Sequence, residues 1–332
     1  MATKHNVLEI MEKHRGESVS GEYIANLLNL SRNMVWKAIK DLRKDGYVIE
    51  AATNKGYRLT PENDILAKEG IKPFLLSSDL ANNIQVYAEI NSTNREAKAQ
   101  AIAGAPHGTV ILAEQQISGR GRRDRAFFSP PGSGLYMSFI LHSGVLGFHN
   151  PTTITAYAAL CVCEAIEKAC GLKPAIKWVN DIFLNGRKIC GILTEAITVF
   201  ENQHIHEIIL GIGINVNTKP EDFPEPLQDI AGSLYPDGKA QTTRNRLAAE
   251  IINQLLYADK PSEAQLFEQY KARLFMLNTD VTVVQGEGKE EKAENTEKYM
   301  AKALDIDEHG RLIIQMPDGT TKTLVSGEVK VF

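Results

Sequence analysis

Two serines, Ser20 and Ser31, mark where helices should begin in the first sixty residues of this chain. A serine hydroxyl is a preferred N-cap, and each of these serines precedes apolar residues at helical spacing. A similar apolar pattern comes before Ser20, and the clearest stripe follows Ser31. That stripe consists of Val35, Ala38, Ile39 and Leu42. We therefore predict three short helices, the third of which ends near Gly46.

A hairpin should follow these helices. Residues 47–51 and 57–60 favour extended structure, and the turn-forming residues 53–56 separate them. Three helices followed by a hairpin are typical of a winged helix-turn-helix, which binds DNA through its third helix and its wing. The third helix carries five cationic side chains and one acidic side chain. A short charged helix can also be only a solvated surface, but the ordered pattern favours DNA binding.

The uneven charge of the chain indicates that its parts have different partners. Residues 1–60 contain ten Lys and Arg against seven Asp and Glu, a net charge of +3, whereas the whole chain has a net charge of −4. The remainder therefore has a net charge of −7.

The side chains that we predict to contact DNA are Arg32, Asn33, Trp36, Lys37, Lys40, Lys55 and Arg58.

The remaining sequence predicts two further domains, because 332 residues are too many for one ordinary core. The helix-breaking residues 61–64 place the first domain at 1–63. Residues 64–276 alternate strand and helix patterns with short turns such as Asn185-Gly186, which predicts an α+β domain with a mixed sheet. Residues 277–332 predict five short strands and a small SH3-like β-barrel, with the charged residues 286–298 in a loop or short exposed helix. The chain is thus predicted to be an α+β multidomain protein.

Four arginines and two glycines occur in the seven residues from 119 to 125, directly after an apolar strand. Glycine lets the backbone approach a ligand closely, and guanidinium groups bind phosphate and carboxylate groups. A basic surface loop or a nucleic-acid contact is the alternative interpretation. The sequence contains no P-loop, and Gly211-Ile212-Gly213 lacks the third glycine of a dinucleotide fingerprint. The loop therefore predicts a site where two anions meet. Any nucleotide there must be held by a structure other than a P-loop or a dinucleotide fingerprint.

Three other segments carry polar groups that a ligand could reach. Lys177 ends a predicted strand and can supply a positive charge. Asn180 and Asp181 follow shortly after it and can supply an optional magnesium ligand. A lysine at a strand end is nevertheless more often simply solvated. The apolar strand 211–214 ends in polar residues 215–217 that include two asparagines. Residues 91–94 begin a helix whose hydroxyls, amide and free N–H groups can bind a polar ligand head.

In their order along the chain, these segments resemble the biotin–protein ligase family. The resemblance rests on the Ser92-Thr93-Asn94 helix start, the loop GRGRRDR, the block KWVND and the strand GIGINVN. It covers essentially the whole chain, because the winged helix and the terminal Gly327-Glu328-Val329 are similar to those of the bifunctional members, which are both ligase and biotin-operon repressor. It implies formation of biotinyl-5′-AMP from biotin and ATP with Mg²⁺, without a protein nucleophile. Biotin would then pass to a lysine in the biotin carboxyl carrier domain of a biotin-dependent carboxylase.

The resemblance also implies roles for individual residues and for the assembly. The catalytic residues would be Lys177, Arg120 and Arg122. The biotin site would comprise Ser92, Thr93, Asn94, Gln116, Gly119, Arg120, Gly121, Arg122 and Lys177. The nucleotide site would comprise Arg122, Phe127, Asn180 and Asn215. No metal site is expected in the protein itself, and adenylate binding would favour a homodimer that binds operator DNA.

The sequence departs from the family pattern at three positions. Asp124 stands where a third loop glycine is common, and aspartate tolerates a left-handed backbone but adds a negative charge near the phosphate site. Phe127 stands where a tryptophan is usual, so adenine should pack differently. Val179 replaces a proline, which changes local stiffness. None of the three removes a charged group that the mechanism needs.

Three alternative functions remain open at this point. A lipoate ligase has the same fold and adenylate chemistry. The binding strand of such enzymes resembles the pattern R-R-x-x-G-G-G-x-V, whereas the glycines in residues 119–125 of this chain are isolated. A transcription factor with a metabolite-sensing centre would explain the basic helix, but it has no need for both Lys177 and the arginine loop. A ligase whose first domain no longer binds DNA is the third.

The cysteines and the apolar segments predict a cytoplasmic protein with no membrane partner. Cys161, Cys163, Cys170 and Cys190 lack the spacing of a zinc site, so we expect reduced thiols that pack as small buried side chains. The longest apolar-leaning run, 154–166, is shorter than a bilayer requires. The first seventeen residues contain no apolar stretch long enough for a signal peptide.

Overall fold

The computed structural model describes residues 2–52, 55–142, 145, 147–148, 150–198, 205–285, 297–325 and 327–331. The N-terminal domain contains three helices and three strands. They are α1 (Ala2–Lys13), β1 (Ser18–Val19), α2 (Gly21–Leu28), α3 (Arg32–Lys44), β2 (Ile49–Ala52) and β3 (Gly56–Leu59). The strands pair in the order β1-β3-β2. This is the winged helix-turn-helix that the sequence predicts.

Local capping explains where the helices of this domain begin. The hydroxyls of Ser20 and Ser31 accept hydrogen bonds from the backbone N–H groups of Tyr23 and Met34, so both predicted N-caps are confirmed. The predicted stripe of α3 is buried in a separate N-terminal core. The two-residue strand β1 is absent from the sequence prediction, and residues 53 and 54 of the predicted turn lie outside the described residues.

Seven strands form the central sheet, in the order β4-β5-β6-β10-β9-β8-β7. They are β4 (Ile84–Ile90), β5 (Thr109–Gln116), β6 (Gly134–His142), β7 (Ala175–Lys177), β8 (Asp181–Leu184), β9 (Arg187–Thr198) and β10 (Ile205–Asn215). β4 and β5 run parallel, whereas the other neighbouring pairs are antiparallel, so the predicted mixed sheet is confirmed. The sequence patterns did not predict β4 and β8.

Helices cover both faces of the central sheet. They are α4 (Lys68–Ile71), α5 (Thr93–Ile102), α6 (Pro151–Cys170), α7 (Arg244–Leu256) and α8 (Glu263–Ala272). The long buried helix α6 packs with α7 and α8 on one face, and α5 packs on the other. All four cysteines are free thiols, three of them fully buried, as expected for small core side chains. None of the helices in the described part of the chain combines the length and apolar character needed to cross a membrane.

The C-terminal domain is an antiparallel sheet in the order β14-β13-β12-β11-β15. Its strands are β11 (Asp280–Gln285), β12 (Glu297–Ile306), β13 (Leu312–Gln315), β14 (Thr321–Leu324) and β15 (Glu328–Val331). All five predicted strands are present, whereas an SH3-like barrel stays a prediction. Residues 286–296 of the predicted charged loop lie outside the described residues. The loop prediction is wrong for residues 297 and 298, which pair with β11 as the first residues of β12.

Buried polar contacts hold the start of the central domain and the C-terminal domain in place. Arg244 on α7 is 2% exposed and forms ion pairs with Asp64 at 3.0 Å and Glu114 at 2.8 Å. This guanidinium therefore holds the segment that follows the winged helix against the central sheet. On the other side, the indole N–H of Trp178 donates to the Gly310 carbonyl at 2.8 Å and holds the C-terminal domain.

Candidate active site

One face of the central sheet is covered by helix α5 at the start of strand β10 and faces a cavity further along the strand. Ile209, Gly211 and Gly213 lie two residues apart and therefore point to the same face. Ile209 is buried against α5, whereas Gly211 is covered by the Asn94 side chain at the start of that helix and Gly213 by the Phe127 ring. Groups from other elements enclose a cavity of about 680 Å³ over this part of the sheet. The two glycines thus make room for the side chains of Asn94 and Phe127, which line the cavity.

One end of the cavity is built around the start of α5. Gln116 Oε1 accepts hydrogen bonds from the Thr93 N–H at 2.9 Å and from the Thr93 hydroxyl at 3.1 Å. The Ser138 hydroxyl donates to Asn94 Oδ1 at 2.6 Å, and Asn94 Nδ2 donates to Glu195 at 2.7 Å. The Thr93 N–H is therefore not free, contrary to the expectation for this helix start. The network fixes the polar side chains in place before any ligand binds.

The arginine loop (residues 119–125) folds back toward the cavity on a glycine. The Phe127 N–H donates to the Gly119 carbonyl at 2.9 Å. A Cβ on Gly119 would overlap the Phe127 carbonyl oxygen and the Ser129 hydroxyl, so no other residue fits there without a shift. Gly119 therefore supports the loop and does not line the cavity. The left-handed residue of the loop is Arg123, with φ of 55°, rather than the neighbouring Asp124.

The Arg122 guanidinium is held by the block that follows β7. Its Nη1 donates to Asn180 Oδ1 at 3.0 Å, and Asn180 Nδ2 donates to the Ile192 carbonyl on β9 at 2.7 Å. Burial lowers the pKa of Arg122, and the charge of Arg123 adds to this effect. A guanidinium nevertheless stays protonated in proteins. Arg122 is thus a fixed positive charge in a region of low dielectric, where it interacts strongly with an anion.

Lys177 lies at the end of β7 with its ammonium group near two side chains. Nζ is 3.6 Å from Asp181 Oδ2 and 5.2 Å from the centroid of the Phe183 ring. Burial lowers the pKa of Lys177, and the Asp181 carboxylate opposes that shift. The second Asp181 oxygen pairs with Lys188 at 2.6 Å, so this carboxylate is already shared by two cations and is a poor candidate for the magnesium ligand suggested by the sequence. Among the described residues, no group of three or more His, Cys, Asp and Glu side chains could hold a metal ion.

The Phe127 ring lies over a pair of glycines in the middle of the cavity. Gly213 on β10 and Gly191 on β9 are directly opposite each other in the sheet register. A Cβ on Gly213 would stand 2.6 Å from Cε1 of the ring. The ring also meets Tyr136 edge to face, with centroids 6.3 Å apart. Its position therefore depends on the missing side chain at Gly213, and its exposed face can pack against an aromatic base.

Strand β15 contributes a carboxylate to the cavity from the C-terminal domain. Glu328 binds Arg125 with both oxygens, at 2.7 Å and 3.0 Å, and lies 4.0 Å from Arg123. Burial raises the pKa of Glu328, but the hydrogen bond and charge of Arg125 outweigh it, so that the pKa is lowered. These contacts tie the arginine loop to a strand that is 203 residues away in the sequence.

Eleven predicted ligand-binding residues line this single cavity. They are Ser92, Thr93, Asn94, Gln116, Arg120, Gly121, Arg122, Phe127, Lys177, Asn180 and Asn215. The cavity is also lined by four residues to which no sequence pattern assigned a role, namely Phe183, Lys188, Asp229 and Glu328. Lys188 follows a recognisable hairpin turn at Asn185 and Gly186, a local signal that could have found it. Glu328 had no such signal, because only the packing of two domains brings it here.

Most of the predicted DNA-binding side chains are exposed, on helix α3 and in the wing. Trp36 is 50% exposed, and the Lys40 ammonium lies 5.4 Å from its ring centroid. Arg32, Asn33 and Lys37 are exposed on the same helix. In the wing, Lys55 is exposed, whereas Arg58 is half-buried and pairs with Glu50 at 3.6 Å across the hairpin.

Three family profiles match successive parts of the chain. The HTH domain matches residues 3–58, the biotin/lipoate A/B protein ligase family matches residues 86–215, and the biotin protein ligase C terminal domain matches residues 292–331. Among solved structures, the biotin protein ligase from Aquifex aeolicus in complex with biotin and ATP has a TM-score of 0.61 and 28% identity. It corresponds to 75% of this chain and 97% of that chain.

Similar proteins extend this agreement to the full length. The bifunctional ligase/repressor BirA of Bacillus subtilis is 34% identical over 319 residues, 96% of each chain. The protein of the same name from Escherichia coli is 28% identical and covers 95% of this chain and 94% of its own. The biotin–[acetyl-CoA-carboxylase] ligase of Mycobacterium tuberculosis is 30% identical over 74% of this chain and 88% of its own.

Proposed function

This chain belongs to the biotin–protein ligase family, with the domain organisation of its bifunctional ligase/repressor members, and we propose that it activates biotin with ATP and attaches it to a lysine of an acceptor protein. One observation carries the proposal. A single cavity contains a polar network at one end, an aromatic ring over paired glycines in the middle, and the cations Arg120, Arg122 and Lys177 along its wall. Two anions that repel each other in water can therefore be held together there.

In the first step, a biotin carboxylate oxygen attacks the α-phosphorus of ATP. A new oxygen–phosphorus bond forms, the bond to the β-phosphate bridging oxygen breaks, and pyrophosphate leaves. We assign the biotin head to the network of Thr93, Asn94 and Gln116, and the adenine to Phe127. Because Arg122 is fixed by Asn180 before binding, its charge needs no reorganisation during the reaction. Magnesium would enter with ATP, as part of the substrate.

In the second step, the ε-amine of the acceptor lysine attacks the acyl carbon and displaces AMP. The amide that forms links biotin to the acceptor. No protein nucleophile is needed, so the contribution of the protein is to position the reactants and stabilise charge. We propose that the acceptor is the biotin carboxyl carrier domain of a biotin-dependent carboxylase, in line with the carboxylase-specific name of the mycobacterial relative.

A reconstituted reaction tests the ligase function. The protein is mixed with biotin, MgATP and an isolated carrier domain, and the mass of the carrier domain is then measured by mass spectrometry. The expected result is one biotinyl group per carrier, with AMP and pyrophosphate in equal amounts, and no modification of a carrier whose acceptor lysine is arginine. A Lys177→Ala variant should form adenylate more slowly by roughly 10²–10³-fold. Modification by lipoate but not by biotin would assign the chain to lipoate ligation instead.

The exposed basic helix and wing support a second activity, repression of biotin synthesis genes. Biotinyl-5′-AMP would be the corepressor, and a homodimer would present two winged helices to an inverted repeat. A protein that consumes ATP and binds operator DNA would act in the cytoplasm, which is the location we propose.

Footprinting on an inverted repeat upstream of biotin genes tests repression. Protection should appear with biotin and ATP, weaken with rising salt, and be lost in Lys37→Ala. A control variant, Lys173→Ala, changes an exposed lysine outside the winged helix and should leave protection intact. No protection at low salt would contradict repression and leave the ligase function standing. Sedimentation with and without biotin and ATP tests the dimer, and an unchanged monomer would contradict it.

A further inference from the structure

A second ammonium group stands next to Lys177, and the reaction described above does not use it. Lys188 Nζ lies 2.6 Å from Asp181 Oδ1, and Lys177 Nζ lies 3.6 Å from Asp181 Oδ2. One carboxylate thus holds two ammonium groups, one on each oxygen. All three side chains line the cavity, and all three are mostly shielded from solvent.

The backbone of Lys188 connects it to Asn215, a residue of the predicted nucleotide site. The Gly232 N–H donates to the Lys188 carbonyl at 2.8 Å, and the Gly232 carbonyl accepts from Asn215 Nδ2 at 2.9 Å. The Lys188 N–H donates to Ile230, which lines the cavity beside it. Lys188 therefore lies between Lys177 and Asn215, where the phosphate chain of ATP should run.

The side chain of Lys188 lies over the sheet at the position of Gly191. A Cβ on Gly191 would stand 3.6 Å from Lys188 Nζ and 3.5 Å from Phe127 Cε2. The ammonium group and the aromatic ring thus approach the same bare strand position from two sides. A nucleotide whose base packs on Phe127 would place its phosphates within reach of this ammonium group.

Charge accumulates on the leaving group as adenylation proceeds. The two ammonium groups and the Asp181 carboxylate have a net charge of +1. We assign the Lys177 ammonium group to the biotin carboxylate and the α-phosphate. We propose that Lys188 is a further catalytic residue, whose ammonium group stabilises pyrophosphate as it leaves, and that Asp181 is a positioning residue for both lysines. This proposal rests on the ligase function proposed above.

The proposal predicts that the two half-reactions respond differently. Pyrophosphate is present only in adenylation, so a variant without the Lys188 charge should fail there. Transfer from preformed biotinyl-5′-AMP releases AMP alone and should proceed normally. A lysine that only stabilised the fold would affect both steps.

The experiment measures each half-reaction with Lys188→Met. Biotin-dependent exchange of label between pyrophosphate and ATP should fall by about 10²-fold. Transfer from synthetic biotinyl-5′-AMP to the carrier domain should match the unmodified protein. Lys188→Arg keeps the charge and should restore most of the exchange. Lys173→Met, which changes an exposed lysine outside the cavity, should alter neither.

Each outcome decides between the proposals. Normal exchange in Lys188→Met, or equal loss of exchange and transfer, would overturn the role of Lys188. Absence of exchange in the unmodified protein would instead overturn the ligase function itself. Asp181→Asn should slow both steps and move the alkaline limit of exchange to lower pH, because Lys177 loses the carboxylate that opposes its lowered pKa. An unchanged alkaline limit would contradict the positioning role of Asp181.

Discussion

Replacing Gly213 by alanine should weaken nucleotide binding while the chain stays folded. The added Cβ would stand 2.6 Å from Phe127 Cε1, whereas ordinary contacts begin at 3.4 Å, so the ring edge must move by the difference of 0.8 Å. The backbone adds no strain, because Gly213 does not have a positive φ. The open side of the ring is the cavity. We therefore expect the ring to move into the space that the base needs.

The size of the effect follows from this overlap. Forcing one extra methyl group into a packed contact costs about 1–3 kcal/mol. If that cost appears as lost affinity, the Kd of the nucleotide rises by roughly 5- to 150-fold. Calorimetric titration with α,β-methylene ATP, in the presence of biotin and Mg²⁺, measures it directly. Gly191→Ala is the matched control, since its Cβ would meet Phe127 and Lys188 at 3.5 Å, an ordinary contact, and should cost much less.

Two results would refute the reasoning about the Phe127 ring. One is an affinity of Gly213→Ala equal to that of the unmodified protein, and the other is an equal loss in both alanine variants. A double-mutant cycle adds a further check. In a Phe127→Ala background the clash has no partner, so Gly213→Ala should then have little effect. Fully additive losses would show that the glycine acts independently of the ring.

Three other variants test separate parts of the structure. Arg122→Gly removes the guanidinium that donates to Asn180, so free biotinyl-5′-AMP should appear in solution and label bystander lysines. Full retention of the adenylate would contradict this. Arg244→Met leaves two carboxylates without their shared cation and should lower the free energy of unfolding by about 3 kcal/mol in urea titrations, whereas exposed Arg246→Met should have little effect. Because burial lowers the pKa of Lys177, adenylation should decline with rising pH earlier than an ordinary lysine would allow, and Lys177→Arg should move the decline to higher pH; an unmoved alkaline limit would count against the charge of Lys177.

Local signals in the sequence were sufficient for the winged helix. The caps at Ser20 and Ser31 and the stripe on α3 depend on neighbouring residues, and the structure has them where the sequence predicts. The glycine-rich strand and the arginine loop were equally recognisable, because each combines residue types that serve little purpose in a core. Structures of this kind can be predicted from short windows of sequence.

The missed elements depend on contacts between distant segments. Strand β4 alternates weakly and gains its place by parallel pairing with β5 through the crossover helix α5. Strand β8 has four residues and is defined by its neighbours on both sides. The Glu328 contact to Arg125 requires the C-terminal domain to pack beside the cavity. The position of Lys188 beside Asp181 and over Gly191 exists only in the folded structure.

An isotope experiment tests the central claim that the biotin carboxylate attacks the α-phosphorus within this cavity. Biotin with ¹⁸O in both carboxylate oxygens is allowed to react with unlabelled ATP and the carrier domain. The masses of the AMP and pyrophosphate that form are then measured by mass spectrometry. If the cations bring these two anions together, the AMP released on transfer contains one ¹⁸O atom, and the pyrophosphate contains none. Unlabelled AMP, or label in pyrophosphate, would contradict the claim.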